Sequence, residues 1–141
     1  MITFNDFIII VVLGLIICYI LNSKEHMQYE DPILIRIKAD LLKVHPRAGE
    51  LTYSISNKSY TQNKQHMHLC VRDENGNYYP YSMLIYVALH ELAHAVSKTI
   101  DDAHTGKEFN ENFKDILLIA EELKVYDPSI PLLTNYCGVS S

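Results

Sequence analysis

Residues 81–98 read YSMLIYVALHELAHAVSK, and this stretch decides how the rest of the chain is interpreted. Its apolar residues recur at helical spacing, which predicts one helix with a buried face. That face consists of Ile85, Ala88, Leu89, Leu92 and Val96. His90 and His94 lie on another face, four positions apart, so both imidazoles can approach one metal ion. Glu91 lies about 100° around the helix from His90, beside such an ion and in the position of a base.

A third histidine, His104, comes after a break in the helical pattern at residues 99–102. Thr105 and Glu108 have the spacing of a capping box, which predicts a helix over residues 107–124 with His104 immediately before its cap. A polar residue where an apolar one is usual marks a candidate site. Two histidines from one helix and one from the start of the next predict a three-ligand zinc site with its fourth position open for water.

The N-terminal segment predicts a membrane anchor. Residues 7–21 read FIIIVVLGLIICYIL without a charge, and extension back to Ile2 reaches the roughly 20 residues that a bilayer core requires. A signal peptide is the alternative, but no Lys or Arg precedes the span and no small-residue cleavage site follows it. We expect an anchor over residues 1–22, a linker over residues 23–30 and one domain over residues 31–141.

The distribution of charged residues predicts the side of the membrane on which the domain lies and the partners that it binds. Lys24, Arg36 and Lys38 follow the span and nothing basic precedes it, which favours a single-pass protein with its domain in the cytoplasm. The net charge of −5 and the absence of a basic patch make the domain a poor nucleic-acid binder. The partners that we expect are a protein or peptide substrate and, through residues 7–21, a membrane.

The domain is expected to be α+β. Asp31 and Pro32 begin a helix with the apolar positions Ile33, Ile37, Leu41 and Val44, widened by Ile35 and Leu42. Residues 51–56 and 66–72 alternate as strands, and Asn75-Gly76 marks a hairpin turn, so we expect a short antiparallel sheet or hairpin. The helix that carries the two histidines follows, and then a C-terminal helix.

The C-terminal helix also carries an alternative ligand set. Its apolar residues share one face, and they are Phe109, Phe113, Ile116, Leu117 and Ala120. Its acidic residues are interpreted as the solvated face, although one of them remains an alternative to His104 as the third ligand; they are Glu111, Asp115, Glu121 and Glu122. His66 and His68 share one face of an exposed edge strand, and we do not expect them to bind metal.

Cysteine usage predicts no cross-link. Cys18, Cys70 and Cys137 form no C-x-x-C pair, which indicates neither a zinc ribbon nor a disulfide framework. Cys18 lies in the apolar span, and the other two are expected to be packed thiols, with residues 136–138 returning across the domain. Residues 57–59 form a glycosylation acceptor pattern, which matters only in a lumenal compartment.

The stretch VALHELAHAVSK followed by HTGKEF resembles the SprT-like and WLM zinc metallopeptidases. The sequence is most similar to small membrane-anchored metallopeptidases of large DNA viruses, in which an N-terminal span precedes a compact domain and a YCG tail recurs. The resemblance implies a zincin-like domain, Zn²⁺ held by His90, His94 and His104, Glu91 as the catalytic residue, and a host-cell or virion membrane. The zinc ribbon and DNA-interacting motifs of many SprT-like proteins are absent, so their role on DNA is not carried over.

The residues therefore predict metal-assisted hydrolysis of peptide bonds. Zinc lowers the pKa of its water from about 15.7 towards 7, and Glu91 takes the proton and delivers it to the leaving amine. A tyrosine is the candidate donor to the oxyanion, from among Tyr86, Tyr126 and Tyr136. If residues 66–72 form a sheet edge, they can pair with an extended peptide.

Two other functions remain open at this point. The first is a non-catalytic membrane protein with a structural zinc, which needs a fourth ligand such as Asp101, Asp102 or Glu108. The second is a DNA-associated repair protease, which salt-dependent DNA binding would reveal.

Overall fold

The computed structural model describes residues 1–25, 30–100 and 103–140. The chain divides into two compact units, Met1–Glu30 and Asp31–Ser141. The first unit contains helix α1, Phe4–Glu25, whose 22 residues are long and apolar enough to cross a membrane. At about 1.5 Å per residue it spans about 33 Å, against a bilayer core of about 30 Å. A membrane anchor and a signal sequence both fit this helix.

The second unit is a mixed α+β domain, which confirms the predicted class. Its first half contains helix α2 (Pro32–Val44), a short 3-10 helix (Pro46–Glu50) and strands β1 (Thr52–Ile55), β2 (Tyr60–Gln62) and β3 (His66–Leu69). Its second half contains helices α3 (Tyr81–Val96) and α4 (Lys107–Glu122) and strands β4 (Asn135–Tyr136) and β5 (Val139–Ser140).

Helix α2 begins where the sequence predicts. The Asp31 carboxylate accepts a hydrogen bond from the backbone N–H of Ile33 at 3.1 Å, and Pro32 occupies the first turn, where its missing N–H costs nothing. The buried face consists of Leu34, Ile37, Leu41 and Val44. The prediction that Ile35 and Leu42 widen this face is wrong, since they are 54% and 46% exposed. They lie on nearly the opposite side of the helix, because each residue advances about 100°.

The sheet is mixed, with strand order β1-β3-β2. Strand β1 is parallel to β3 and β2 is antiparallel to it, so the predicted wholly antiparallel sheet is wrong. The prediction of an edge at residues 66–72 is also wrong, because β3 is the central strand. A tight turn explains both outcomes: Asn63 and Lys64 have φ of 51° and 56°, which folds β2 directly back onto β3. Strand β1 then pairs with the remaining side of β3.

Helix α3 lies at the centre of the hydrophobic core. Its predicted face is buried at Ile85, Ala88, Leu89 and Leu92, while Val96 is only partly buried. The predicted face of α4 is also confirmed, with Phe109, Ile116 and Ala120 buried and the other two residues packed against the core. The acidic residues assigned to the solvated face of α4 are exposed, as the sequence predicts. The two helices that carry the candidate site are therefore fixed by apolar packing.

Cys70 and Cys137 form a disulfide, with their Cα atoms 6.4 Å apart, although they are separated by 67 positions in sequence. The prediction of two separate thiols is therefore wrong. Neither cysteine belongs to a recognisable pair motif, so only the fold brings them together. The bond ties the hairpin of β4 and β5 to the end of β3, which confirms the predicted ordered return of residues 136–138. Cys18 is free and exposed.

Candidate metal centre

The three predicted histidines converge on one point. His104 Nε2 lies 3.2 Å from His90 Nε2 and 2.9 Å from His94 Nε2. The candidate ligand atoms of all three lie within 4.8 Å of one another. Two of these side chains come from α3 and the third from the segment before α4, as the sequence predicts.

The donor set fits a tetrahedral metal ion. Two nitrogens that each lie about 2.0–2.1 Å from zinc at a tetrahedral angle are about 3.3 Å apart, close to the 3.2 Å and 2.9 Å that separate His104 Nε2 from the other two. Hydrogen bonds alone do not account for the arrangement. A ring nitrogen carries either one hydrogen or one lone pair, so His104 Nε2 can form a good bond with only one of the two nitrogens that face it. A cation at their common centre would satisfy all three.

Apolar packing orients the three rings. The Phe109 ring lies 5.1 Å from that of His90, 4.3 Å from that of His94 and 5.1 Å from that of His104, measured between centroids. Phe109 is 2% exposed. Because its position is fixed by the core, it holds the rings in place. His90 also contacts Phe113 edge-to-face at 5.1 Å.

His104 reaches the cluster through a strained backbone. Its φ is +55°, a left-handed conformation that a residue with a Cβ rarely adopts. The predicted capping box is wrong: Gly106 is the N-cap of α4 and has no side chain to accept a bond. The Glu108 carboxylate instead accepts hydrogen bonds from the backbone N–H groups of Lys98 and Thr99. Glu108 therefore joins the first turn of α4 to the chain that leaves α3, which brings His104 over the site.

Burial keeps the imidazole of His90 neutral. Burial first, and then the nearby His94 and His104, lower its pKa from 6.5 to about 4. The neutral ring is the form that binds a metal ion.

Glu91 is the buried acid beside the cluster, only 5% exposed. Burial raises its pKa to about 7, and a hydrogen bond from Thr61 opposes that rise. The Thr61 hydroxyl lies 2.8 Å from Glu91 Oε2 and 2.9 Å from the Glu91 backbone oxygen. Thr61 was not predicted, because it lies 30 residues away on a strand of three residues. The alternation of Tyr60, Thr61 and Gln62 was its only signal, too short to be read as a strand.

Lys64 stabilises the C-terminal end of helix α3. Its ammonium group donates to the carbonyl oxygens of His94 at 3.0 Å and Thr99 at 2.9 Å. A cation at the C-terminus of a helix also interacts favourably with the exposed carbonyls and the helix dipole. Lys64 thereby joins the turn between β2 and β3 to the helix that carries two of the histidines.

An open cavity of about 650 Å³ lies over the three histidines and Glu91. Its other walls come mainly from β2 and the following turn and from the chain after α3; the lining residues there are Ser59, Tyr60, Thr61, Asn63, Lys64, Thr99 and Ile100. A volume of this order is typical of ligand sites in proteins. The cluster of three histidines is thus open on one side.

The other sequence-predicted candidates lie elsewhere. Tyr86, Tyr126 and Tyr136 do not line the cavity, and the tyrosine that does is Tyr60. Asp101 and Asp102 lie outside the described residues. Within the described ranges, the metal-capable cluster contains only the three histidines, and the acidic residues of α4 do not join it. His66 and His68 instead contact Thr52 and Ser54 on β1.

Comparison with known proteins identifies relatives in invertebrate iridescent viruses. The chain is 42% identical over 125 residues to "Uncharacterized protein 136R" of Invertebrate iridescent virus 6, which covers 82% of this chain and 68% of that protein. It is 36% identical over 83 residues to "Uncharacterized protein 042R" of Invertebrate iridescent virus 3, covering 58% of this chain and half of that protein's length. No family model and no solved structure matches the chain.

Proposed function

We propose that this chain, which belongs to the family of invertebrate iridescent virus proteins that includes 136R, is a membrane-anchored zinc-dependent peptidase with a zincin-like domain. One observation carries the proposal: three imidazole nitrogens converge beside a buried carboxylic acid at the floor of an open cavity. The resemblance of the H-E-x-x-H helix to SprT-like and WLM metallopeptidases supports the same function. The coarser statement, that the three histidines can hold a metal ion, rests on geometry alone.

Different residues of the chain would have different roles in peptide hydrolysis. His90, His94 and His104 would hold the ion, and a bound zinc ion would supply Lewis acidity and acidify a water molecule. Glu91 accepts the proton and later delivers it to the leaving amine. Thr61 holds the carboxyl group in place by its hydrogen bond.

Strand β2 provides the edge on which a peptide can lie. It is an edge strand, and Tyr60 and Thr61 line the cavity. An extended peptide that adds to this edge would pair its backbone with β2 and pass over the metal cluster. This role belongs to β2 and not to β3, which is paired within the sheet on both sides.

The two other functions have less support. A structural zinc requires a fourth protein ligand, and the metal-capable cluster of the described residues contains three. Glu108, one of the candidates for the fourth ligand, is bonded to Lys98 and Thr99. A role on DNA would need a basic surface, whereas the chain carries a net charge of −5.

The disulfide is relevant to the question of which side of the membrane the domain occupies. Structural disulfides persist in oxidising compartments and are rare in the cytosol. We propose that α1 acts as an anchor and that the domain faces an oxidising compartment, which opposes the expectation from Lys24, Arg36 and Lys38. The disulfide is part of the folded domain, whereas the charge bias depends on three scattered residues.

The peptidase is tested with the full chain purified in detergent. We expect one zinc ion per chain and cleavage of β-casein, used as an unfolded protein probe. Glu91→Gln should retain the zinc and lose the cleavage, because the amide keeps the shape of the carboxyl group but cannot act as a base. His66→Ala is the matched control, since His66 is exposed and outside the cluster. Cleavage that persists at full rate in Glu91→Gln would refute the mechanism.

A further inference from the structure

We infer that the Cys70–Cys137 disulfide controls the catalytic site and that Tyr136 is the positioning residue through which it acts. The inference rests on the proposed function for its activity readout, but its structural readout does not depend on that function. Peptide hydrolysis would require the oxidised form of the domain, while metal binding would not.

The first step is a closed ring of hydrogen bonds beside the disulfide. The Cys70 backbone N–H donates to Ser59 Oγ at 2.9 Å, and Ser59 Oγ lies 2.7 Å from Tyr136 Oη. The Tyr136 hydroxyl in turn donates to the Cys70 carbonyl oxygen. A phenol has a single hydrogen, so Tyr136 must accept from Ser59 while it donates to Cys70. Each hydroxyl thus has a defined direction in the ring.

The second step is that the disulfide fixes the position of Tyr136. Cys137 is the next residue, and its covalent bond to Cys70 keeps the tyrosine beside β3. The Cys137 backbone N–H also donates to Tyr79 Oη at 2.9 Å, and the rings of Tyr79 and Tyr136 lie 4.9 Å apart. The hairpin of β4 and β5 has only two residues in each strand, too few for independent stability. The covalent bond therefore fixes the tail.

The third step connects this ring of hydrogen bonds to Glu91, the proposed catalytic base. Ser59 directly precedes β2, a three-residue strand paired on one side only. Thr61, at the centre of that strand, holds Glu91. A short edge strand has little stability of its own, so its position depends on what anchors its ends. Ser59 anchors one end and the tight turn at residues 63–64 the other.

Reduction would release this anchor. Two electrons and two protons from a dithiol convert the bond into the thiols of Cys70 and Cys137, and the dithiol becomes a disulfide. Tyr136 is then free to leave with the tail, Ser59 keeps its bond from the Cys70 N–H but loses its bond to Tyr136, and β2 is held less firmly. The histidines come from α3 and the segment before α4 and are packed against Phe109, so the metal site does not depend on this anchor.

The test compares Cys70→Ala/Cys137→Ala with the wild-type full chain in detergent. Variants replace chemical reduction because dithiols themselves bind zinc. Cys18→Ala controls for loss of a thiol. We expect an unchanged zinc content, amide hydrogen exchange at residues 60–62 at least about tenfold faster, and casein cleavage at least about tenfold slower. Unchanged exchange at residues 60–62 would overturn the inference.

Tyr136→Phe keeps the disulfide and tests the same step if the double variant does not fold. It should accelerate exchange at residues 60–62 without loss of zinc, and it should add nothing further in the Cys70→Ala/Cys137→Ala background. Tyr53→Phe is the matched control, because its buried hydroxyl bonds the Ala48 carbonyl away from β2. If Tyr136→Phe exchanges like Tyr53→Phe, the inference is wrong. A wild-type chain without peptidase activity would remove the proposed function and leave the exchange result to decide this inference.

Discussion

Removal of the His104 imidazole should weaken zinc binding while leaving the fold intact. Glycine is the informative replacement, because His104 has a φ of +55° and glycine adopts that conformation without strain. His104→Ala should bind zinc as weakly as His104→Gly but unfold more easily, since an L-residue there costs roughly 1–2 kcal/mol. The side chain is exposed, so its loss creates no buried cavity.

The expected magnitude follows from the number of ligands. Four-ligand structural zinc sites bind with about 10–16 kcal/mol, or about 3 kcal/mol per ligand. Loss of one imidazole should therefore weaken the site about 100-fold. The two remaining ligand nitrogens, on His90 and His94, come from one helix and remain in place because Phe109 packs against both rings.

The assay is competition for zinc between the full chain in detergent and a chromogenic chelator. His66→Ala serves as the control, because it removes an exposed histidine whose ring bonds Thr52 on β1. We expect its zinc affinity to match that of the wild type. A zinc affinity of His104→Gly within threefold of the wild type would show that His104 is not a ligand and would refute the tetrahedral fit.

Three further predictions concern catalysis, acid stability and topology. Glu91→Gln should reduce casein cleavage by about 10²–10⁴-fold with zinc content unchanged, a range typical of the loss of a general base, and a loss of zinc would contradict this. Burial alone would raise the pKa of Asp40, but hydrogen bonds from Lys43 and Tyr81 outweigh it and hold that pKa below 3.8. The stabilisation from ionised Asp40 is therefore present above pH 3.8 and disappears as the pH falls through the lowered pKa. The unfolding free energies of the wild type and Asp40→Asn should accordingly differ at pH 7 and converge in acid. A difference that stays constant with pH would contradict this. Expression with microsomes should give a glycosidase-sensitive product that Asn57→Gln abolishes, because Asn57 is exposed; an unglycosylated wild type would place the domain on the cytoplasmic side.

The sequence predicted the helical parts of the site well, since its signals there are local. The spacing of His90 and His94 follows from the helical repeat, and the apolar face of the same helix places it in the core. Asp31 and Pro32 likewise begin α2 at the predicted residue. In each case the determining residues lie within one or two helical turns of one another, where backbone geometry alone fixes which side chains share a face.

Elements that depend on distant pairing were predicted poorly. Thr61 belongs to a strand of three residues, too short for its alternation to stand out from a loop. The capping box at Thr105 fitted the sequence pattern, yet Glu108 bonds the backbone of Lys98 and Thr99 instead. A carboxylate accepts hydrogen bonds from whichever N–H groups the fold places beside it. The local sequence pattern cannot show which N–H groups those are.

The sequence by itself determined the helices, the pair of histidines with the adjacent acid, and the apolar N-terminal segment, because each depends on residues close together in the chain. The tertiary structure decided for His104 over the acidic residues of α4 as the third member of the cluster, and it alone showed that Thr61 holds Glu91 and that Cys70 bonds Cys137. These contacts join residues 10, 30 and 67 positions apart. Their formation depends on the packing of the helices and the pairing of the strands, which residue spacing in a single sequence does not encode.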